Sequence, residues 1–424
     1  MNTVLQLLGA DPRISDYKVS RHQKESFELF FVKGALETVR RTNTCDKEVT
    51  IYVNHGEYKG DSQFLIYPST TEEELKEKIG IAIEKAKLIC NQNYELPGEE
   101  TGEFTVPSNL DSAPLSQLAS RIADAVFAAD TLENAALNSV EVFVNKYTDT
   151  VINSRGLCKT QTRYDAMVEA IPTYNGEKQS VELYQQYNFS ALDPAQITEE
   201  VAQYLQAAKA RYEAVHPESI PQCKVILNKL ELSELFWNIA QDLNYFSVYS
   251  HTNLFKKGDA IQKEPTGDVL NITLAGALPG NIRSACFDAD GMTLGSIQVV
   301  EQGKAINYYG SNRFGQYLGE TPTGNLRCLQ VAPGSTCAKC LSEGPYLEVI
   351  SMSGLQVDFY SDYIGGEVRL AYYHDGTSVK PVTGISITGS LTQVLNSIRL
   401  SCETSVYDGY SGPEKAILND MQIF

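Results

Sequence analysis

From residue 266 to residue 424, glycine recurs often and strand-like segments dominate the chain. Runs of β-branched and aromatic residues between Gly-containing turns form strands, and glycine this frequent weakens any long helix. Segments 271–274, 296–300, 346–351 and 367–373 are the clearest strands. The pattern predicts a large β-rich domain, barrel- or sandwich-like, with few helices. Two helices are expected in it. One follows Pro333-Gly334-Ser335, with Ser335 as N-cap, and the other runs from Ser390 to about Ile398.

The first half has a different texture. Segments 26–33, 34–39 and 48–53 read as strands, the second entered by a turn at Gly34, and His55-Gly56 marks a turn after the third. Thr71-Glu-Glu-Glu74 then opens a helix whose apolar stripe includes Leu75, Ile79, Ala82 and Ala86. Residues 96–112 are rich in Pro, Gly and Glu and read as a linker. A helix is expected over 113–137, and 140–151 reads as strand, turn and strand. Asn153-Ser-Arg-Gly156 reads as a tight turn, and 163–172 and 181–189 as strands. Asp193-Pro194 starts a long helix that His216-Pro217 stops. A short strand at 224–227 precedes a helix with Leu232, Leu235, Phe236, Ile239, Ala240 and Leu243 on one face. The expected class is α+β: an N-terminal mixed α/β region with a sheet and long helices, then the β-rich domain. The expected parts are 1–95, the linker 96–112, a middle α+β region 113–220, and 221–424.

The net charge of −18 repels phosphate backbones and argues against nucleic acid as a partner. No apolar run approaches the roughly 20 residues that span a bilayer. The N-terminus carries no basic, apolar leader, so a cytoplasmic location and no membrane partner are expected. Nine cysteines, an odd number with scattered spacing, read as free thiols.

Metal chemistry is poorly provided for. The five histidines are His22, His55, His216, His251 and His374, and no two lie within 30 residues. Cys337-Ala-Lys-Cys340 has metal or redox spacing but no second ligand pair; two thiols on successive helix turns is the plainer reading. Phe287-Asp-Ala-Asp-Gly-Met292 looks like half a calcium loop, yet position 12 from Asp288 is Val299, so a turn is the better reading. There is no Walker lysine and no Gly-x-Ser-x-Gly elbow.

Several segments together resemble the TldD/PmbA family, formerly called modulators of DNA gyrase. They are Val32-Lys-Gly-Ala-Leu-Glu-Thr-Val-Arg40, Asn153-Ser-Arg-Gly156, Val181-Glu-Leu-Tyr184, Phe287-Asp-Ala-Asp-Gly291, Thr323-Gly-Asn-Leu326 leading into Val331-Ala-Pro-Gly334, and Ile387-Thr-Gly-Ser-Leu391. The resemblance covers nearly the whole chain and rests on their order. It implies two kinds of chain. A TldD-type chain resembles a zinc metallopeptidase with a His-Glu, three residues, His helix and a late Cys ligand. A PmbA/TldE-type chain keeps the fold without the ligands.

This sequence resembles the second kind. Ser233-Glu234 stands where His-Glu is expected, Asn238 stands at the second His, and Asp408-Gly-Tyr-Ser-Gly-Pro413 replaces the late Cys segment. Ser and Asn are poor zinc ligands beside imidazole. Glu234 keeps the general-base position, with no metal-bound water to activate. The resemblance therefore implies no cofactor in this chain and zinc in a TldD-type partner. It implies a heterodimer with that partner or a homodimer, and extended peptides as substrates. Peptide contacts are expected at Asn153, Ser154, Arg155 and Gly156 and at Asn312 and Arg313, for which turn chemistry is the competing explanation. Two alternatives stay open. One is a metallopeptidase in its own right, with His251, Cys402 and Glu234 as unorthodox ligands. The other is a regulatory protein that acts on gyrase.

Overall fold

The computed structural model describes residues 2–424. Helix α1 (Asn2–Ala10) leads into three long antiparallel strands, β1 (Asp16–Val32), β2 (Ala35–His55) and β3 (Tyr58–Ile66). Lys33 and Gly34 turn the β1–β2 hairpin with φ of +50° and +77°, a conformation glycine adopts without cost. Helix α2 (Glu72–Ala86) starts at a capping box between Thr71 and Glu74. The short β4 (Asn91–Gln92) follows, then β5 (Thr101–Thr105), helix α3 (Leu115–Ala128), and the long pair β6 (Ala135–Asn153) and β7 (Cys158–Asn175). Strands β8 (Ser180–Glu182) and β9 (Gln185–Phe189) pair with β7, and helix α4 (Pro194–Glu213) closes this part.

The first sheet runs β4-β3-β2-β1-β6-β7-β5. It takes strands from both the 1–95 and the 113–220 stretches, because β1 pairs with β6 from Lys18 to Val32. Helices α3 and α4 cover one face, where Leu118, Ile122, Val126, Val201 and Leu205 meet Leu29, Val142, Val144 and Val168.

Several local expectations need correction. Residues 48–53 are the end of one 21-residue strand, and 140–151 lies inside one 19-residue strand. Polar residues such as Thr148 and Asp149 suggested a break. Ladders to β1 on one side and β7 on the other carry the backbone through it. The helix expected over 113–137 ends at Ala128, and Asn134 turns the chain with φ +61°. The stretch read as a linker contains β5, which runs parallel to β7. Segment 181–189 is two short strands.

The second half begins with β10 (Lys224–Asn228), helix α5 (Lys229–Asp242) and the short α6 (Tyr245–Tyr249). Strands β11 (Ile272–Ala275), β12 (Ser296–Glu301) and β13 (Lys304–Ala305) precede helix α7 (Asn312–Leu318). Then come β14 (Cys328–Val331), α8 (Ala338–Leu341), β15 (Tyr346–Met352), β16 (Gln356–Asp358), β17 (Tyr363–His374), β18 (Val379–Val382) and β19 (Ile385–Ser390). Helix α9 (Leu391–Ser397) and the strands β20 (Arg399–Leu400), β21 (Thr404–Tyr407), β22 (Tyr410–Pro413), β23 (Lys415–Leu418) and β24 (Gln422–Ile423) end the chain. They form two sheets, β20-β23-β10-β15-β17-β19-β24 and β13-β12-β11-β14-β22-β21. The sheets share one core with α5, made by Val225, Leu235, Phe236, Leu274, Leu329 and Val349 among others.

The α+β class is therefore as expected: a helix-backed sheet, then a β-rich half with few helices. Ser390 caps α9, as expected. Ser335 caps nothing, because α8 starts two residues later on Cys337. Cys337 and Cys340 are disulfide-bonded rather than free thiols. Among the described residues no helix is long and apolar enough to cross a membrane.

Candidate functional site

Helix α5 is held from below by its apolar stripe. Leu232, Leu235, Phe236, Ile239 and Ala240 are wholly buried. That anchoring fixes which residues the other face presents: Glu234, Trp237 and the exposed Asn238, with Ser233 buried at the edge. Glu231 sits in the first turn and is also buried. Burial pushes its carboxyl up to about 7, and Glu234 adds to this, while the Asn228 N–H opposes it.

The β21–β22 hairpin packs against α5 at its buried side and, through its turn, at Trp237. Phe236 stacks on Tyr410 with ring centroids 6.3 Å apart. The hairpin turn is Asp408-Gly409, with Asp408 at φ +48°. A Cβ on Gly409 would lie 2.7 Å from the Arg327 carbonyl oxygen and 3.2 Å from both Trp237 and Arg283. Only glycine lets the turn approach Trp237 so closely. Arg283 grips Asp408 with two bonds of 3.0 and 2.7 Å. Burial raises the Tyr407 hydroxyl's pKa, and the carboxylates of Asp408, Glu231, Glu234 and Glu200 raise it further. Glu200 is paired with Lys229.

The helix and the late segment expected to correspond to ligand positions lie against each other, with Gly409 beside Trp237. What they bring together is different. One Glu234 carboxylate oxygen accepts the Leu355 N–H at 2.8 Å, and the Asn238 amide donates to the Glu234 carbonyl at 2.8 Å. A hydroxyl, an engaged carboxylate, an amide turned back on its own helix and an Arg–Asp pair do not fit zinc, which takes imidazole, thiolate or free carboxylate. Among the described residues no group of three His, Cys, Asp or Glu side chains is placed to hold a metal ion. His251 lies in a turn after α6 at φ +58°, and the exposed Cys402 has its thiol against Glu403 at 3.4 Å.

The two expected peptide-contact motifs are drawn into internal bonding. Asp16 is buried at the centre of the 153–156 turn. Ser154 Oγ donates to it at 2.7 Å, Arg155 Nε at 2.7 Å, and the buried Lys59 ammonium at 2.8 Å. Burial raises the carboxyl's pKa, but Arg155, Lys59 and Ser154 outweigh it and hold Asp16 at about 2. Asn153 Oδ1 accepts the Arg155 and Leu157 N–H groups, and Gly156 turns at φ +89°.

Asn312 and Arg313 open α7. Asn312 donates to the Glu95 carbonyl at 2.7 Å, and Arg313 donates to Asn91 at 2.6 Å and to the Tyr317 hydroxyl at 2.9 Å. Asn153 donates to the Pro97 carbonyl at 2.8 Å. Both motifs therefore clasp the same stretch, 91–97, the α7 residues at Asn91 and Glu95 and Asn153 at Pro97. The Asp16–Lys59 pair, Glu231 and the Arg283–Asp408 pair had no sequence signal beyond their residue types.

Residues 221–423 match the family model described as PmbA/TldA metallopeptidase C-terminal domain. The second half of the chain is thus a C-terminal domain of the PmbA/TldD family. The whole fold of the chain is shared with TldE from Thermococcus kodakarensis, at a TM-score of 0.81 and 14% identity over 99% of each chain. A candidate modulator of a DNA gyrase from Thermotoga maritima superposes at 0.76, with 14% identity over 100% of this chain and 99% of that one. One from Bacteroides thetaiotaomicron gives 0.77, with 14% identity over 100% and 96%. At that identity these likenesses speak to fold alone. No curated protein sequence is detectably similar to the chain.

Proposed function

We propose that this chain is the non-catalytic, TldE-type subunit of a TldD/TldE-like zinc metallopeptidase that acts on unfolded or extended peptides. The observation that carries the reading is the face of α5. There Glu234 is engaged by the Leu355 N–H and Asp408 by Arg283; the reading sets Ser233, Glu234 and Asn238 at the ligand and base positions of a TldD-type helix and the Arg283–Asp408 pair in the late-ligand segment. The chain binds no zinc of its own; the TldD-type partner supplies it. In this reading the β-rich half completes a chamber with the partner and helps hold the peptide by its main chain. Strand addition reads backbone rather than sequence, which suits a broad set of extended substrates.

The test is reconstitution. Full-length chain, a TldD-type partner and zinc are mixed with an unfolded peptide, and cleavage is followed by mass spectrometry. Activity in the mixture and in neither chain alone supports the subunit role. A partner fully active alone refutes it. Elemental analysis of the isolated chain is the companion measurement, because a stoichiometric metal that survives dialysis favours an enzyme with its own ligand set.

A further inference from the structure

We propose that the outer half of β2 is a strand-addition site for an extended, acidic peptide. Strand β3 pairs with β2 only from Lys47 to His55. Among the described residues, 35–46 therefore have β1 on one side and no strand on the other, a free edge on the order of 40 Å long. Half of its N–H and C=O groups point outward, unpaired, as a template for one more strand. Leu36 and Val39 are 52% and 50% exposed, so no described residue covers them.

The edge borders a cleft of about 510 Å³ under the start of α3, lined by Phe27, Arg41, Asn43, Lys146, Tyr164 and residues 113–115. Register places Arg41 opposite Phe27 and Val39 opposite Leu29, so both project to the helix-covered side, where the cleft lies. Arg41 lies over the Phe27 ring at 5.7 Å and makes no ion pair among the described residues. Of the acids on the wall, Glu25 is held by Lys146 at 3.8 Å, and Asp111 makes no ion pair with Arg41.

A peptide strand added along β2 sets one side chain directly opposite Arg41, with Cβ atoms about 5 Å apart. An acidic residue there meets an uncommitted guanidinium. Its neighbours two residues away meet Val39 and Asn43. The occupant is thus a strand with an acid flanked, on one face, by an apolar and a polar residue. A second copy of this edge, centred on these residues, would set Arg40 and Arg41 against their own copies, which is unfavourable. The inference extends the peptide-handling role from the β-rich half to the first sheet. It rests on that role only for calling the peptide a substrate.

The experiment uses the full chain with neither partner nor zinc, so its outcome is separate from reconstituted activity. A fluorescein-labelled eight-residue peptide of β-branched residues with one central Glu is titrated by anisotropy at low salt. Two probes accompany it: the same peptide with Lys in place of Glu, and forms N-methylated on alternate amides. The Glu peptide is expected to bind at least about tenfold tighter than the Lys peptide. N-methylation of the inward-facing amides is expected to abolish binding, and Arg41→Glu to invert the order. Equal binding of every N-methylated form, or an order unchanged by Arg41→Glu, overturns the proposal. So does light scattering that shows a dimer of the isolated chain dissociated by Arg41→Glu.

Discussion

Replacing Asp16 by asparagine keeps the shape of a buried side chain and removes its charge. In the native chain Asp16 and Lys59 are both buried, 2.8 Å apart, and Ser154 and Arg155 also donate to the carboxylate. Asparagine preserves one acceptor oxygen for Ser154 and Arg155. In place of the other oxygen it sets an amide N–H against the Lys59 ammonium, two donors face to face. Lys59 keeps only the Tyr94 carbonyl, at 2.8 Å. Removing one partner of a buried pair costs about 3–5 kcal/mol, most of it the uncompensated charge left behind. Urea unfolding followed by far-UV circular dichroism measures the loss. Trp237, the sole tryptophan, reports on the second half separately. The dichroism transition is expected to move more than the fluorescence transition. Adding Lys59→Met removes the stranded charge and should restore at least about 1 kcal/mol. The pH dependence carries its own sign. Asp16 titrates at about 2 when folded, below its ordinary 3.8. Its stabilising share is therefore complete above about pH 4 and is lost as pH falls through 2, and Asp16→Asn should flatten that window. A loss below about 1 kcal/mol, or a double variant worse than the sum of its singles, would refute the reasoning.

Glu231 gives the opposite sign. Its carboxyl is raised from 4.5 to about 7, so stability falls as pH climbs between those values. Glu231→Gln should stabilise the chain at pH 8 by up to about 3 kcal/mol and leave it nearly unchanged at pH 4; thermal melts at both pH values check this. Gly409→Ala should push the hairpin turn off the Arg327 carbonyl and Trp237. A cost of about 1–3 kcal/mol and a shifted Trp237 emission are expected, and an unshifted spectrum would show that the turn yields freely. On the proposed subunit reading, in the reconstituted mixture Glu234→Gln should leave cleavage within about twofold, because this carboxylate holds the Leu355 N–H. A large fall in turnover would place Glu234 in the chemistry.

The sequence pattern was most informative where one residue type has one use. Thr71 and Glu74 announced the start of α2, Asp193-Pro194 that of α4, and the apolar spacing from Leu232 to Leu243 that of α5. Each signal is local and needs no neighbour. The long strands were cut short because their polar stretches, such as Arg40 to Asp46, carry no strand signal alone and are ordered by the ladder to β1. At the candidate site, the resemblance drew attention to Ser233 and Asn238 on α5. It gave no sign of the Arg283–Asp408 pair, which joins residues 125 positions apart. Turn chemistry was the competing explanation for Asn153–Gly156, and the buried Asp16 beneath that turn supplies its physical cause. No sequence separation hints at that contact.

The clasp on residues 91–97 has a mechanical consequence. This stretch is gripped at Asn91, Gln92 and Glu95 by Arg313, Tyr317 and Asn312 of α7, and at Pro97 by Asn153 at the end of β6. Seven residues reach at most about 25 Å, so the two halves are tied by a short tether pinned at both ends. To swing one half against the other, the chain must first tear several of these bonds together. A load applied to the first sheet therefore reaches the β-rich half through α7 as well as through the Lys18–Asp290 and Lys159–Gly291 contacts.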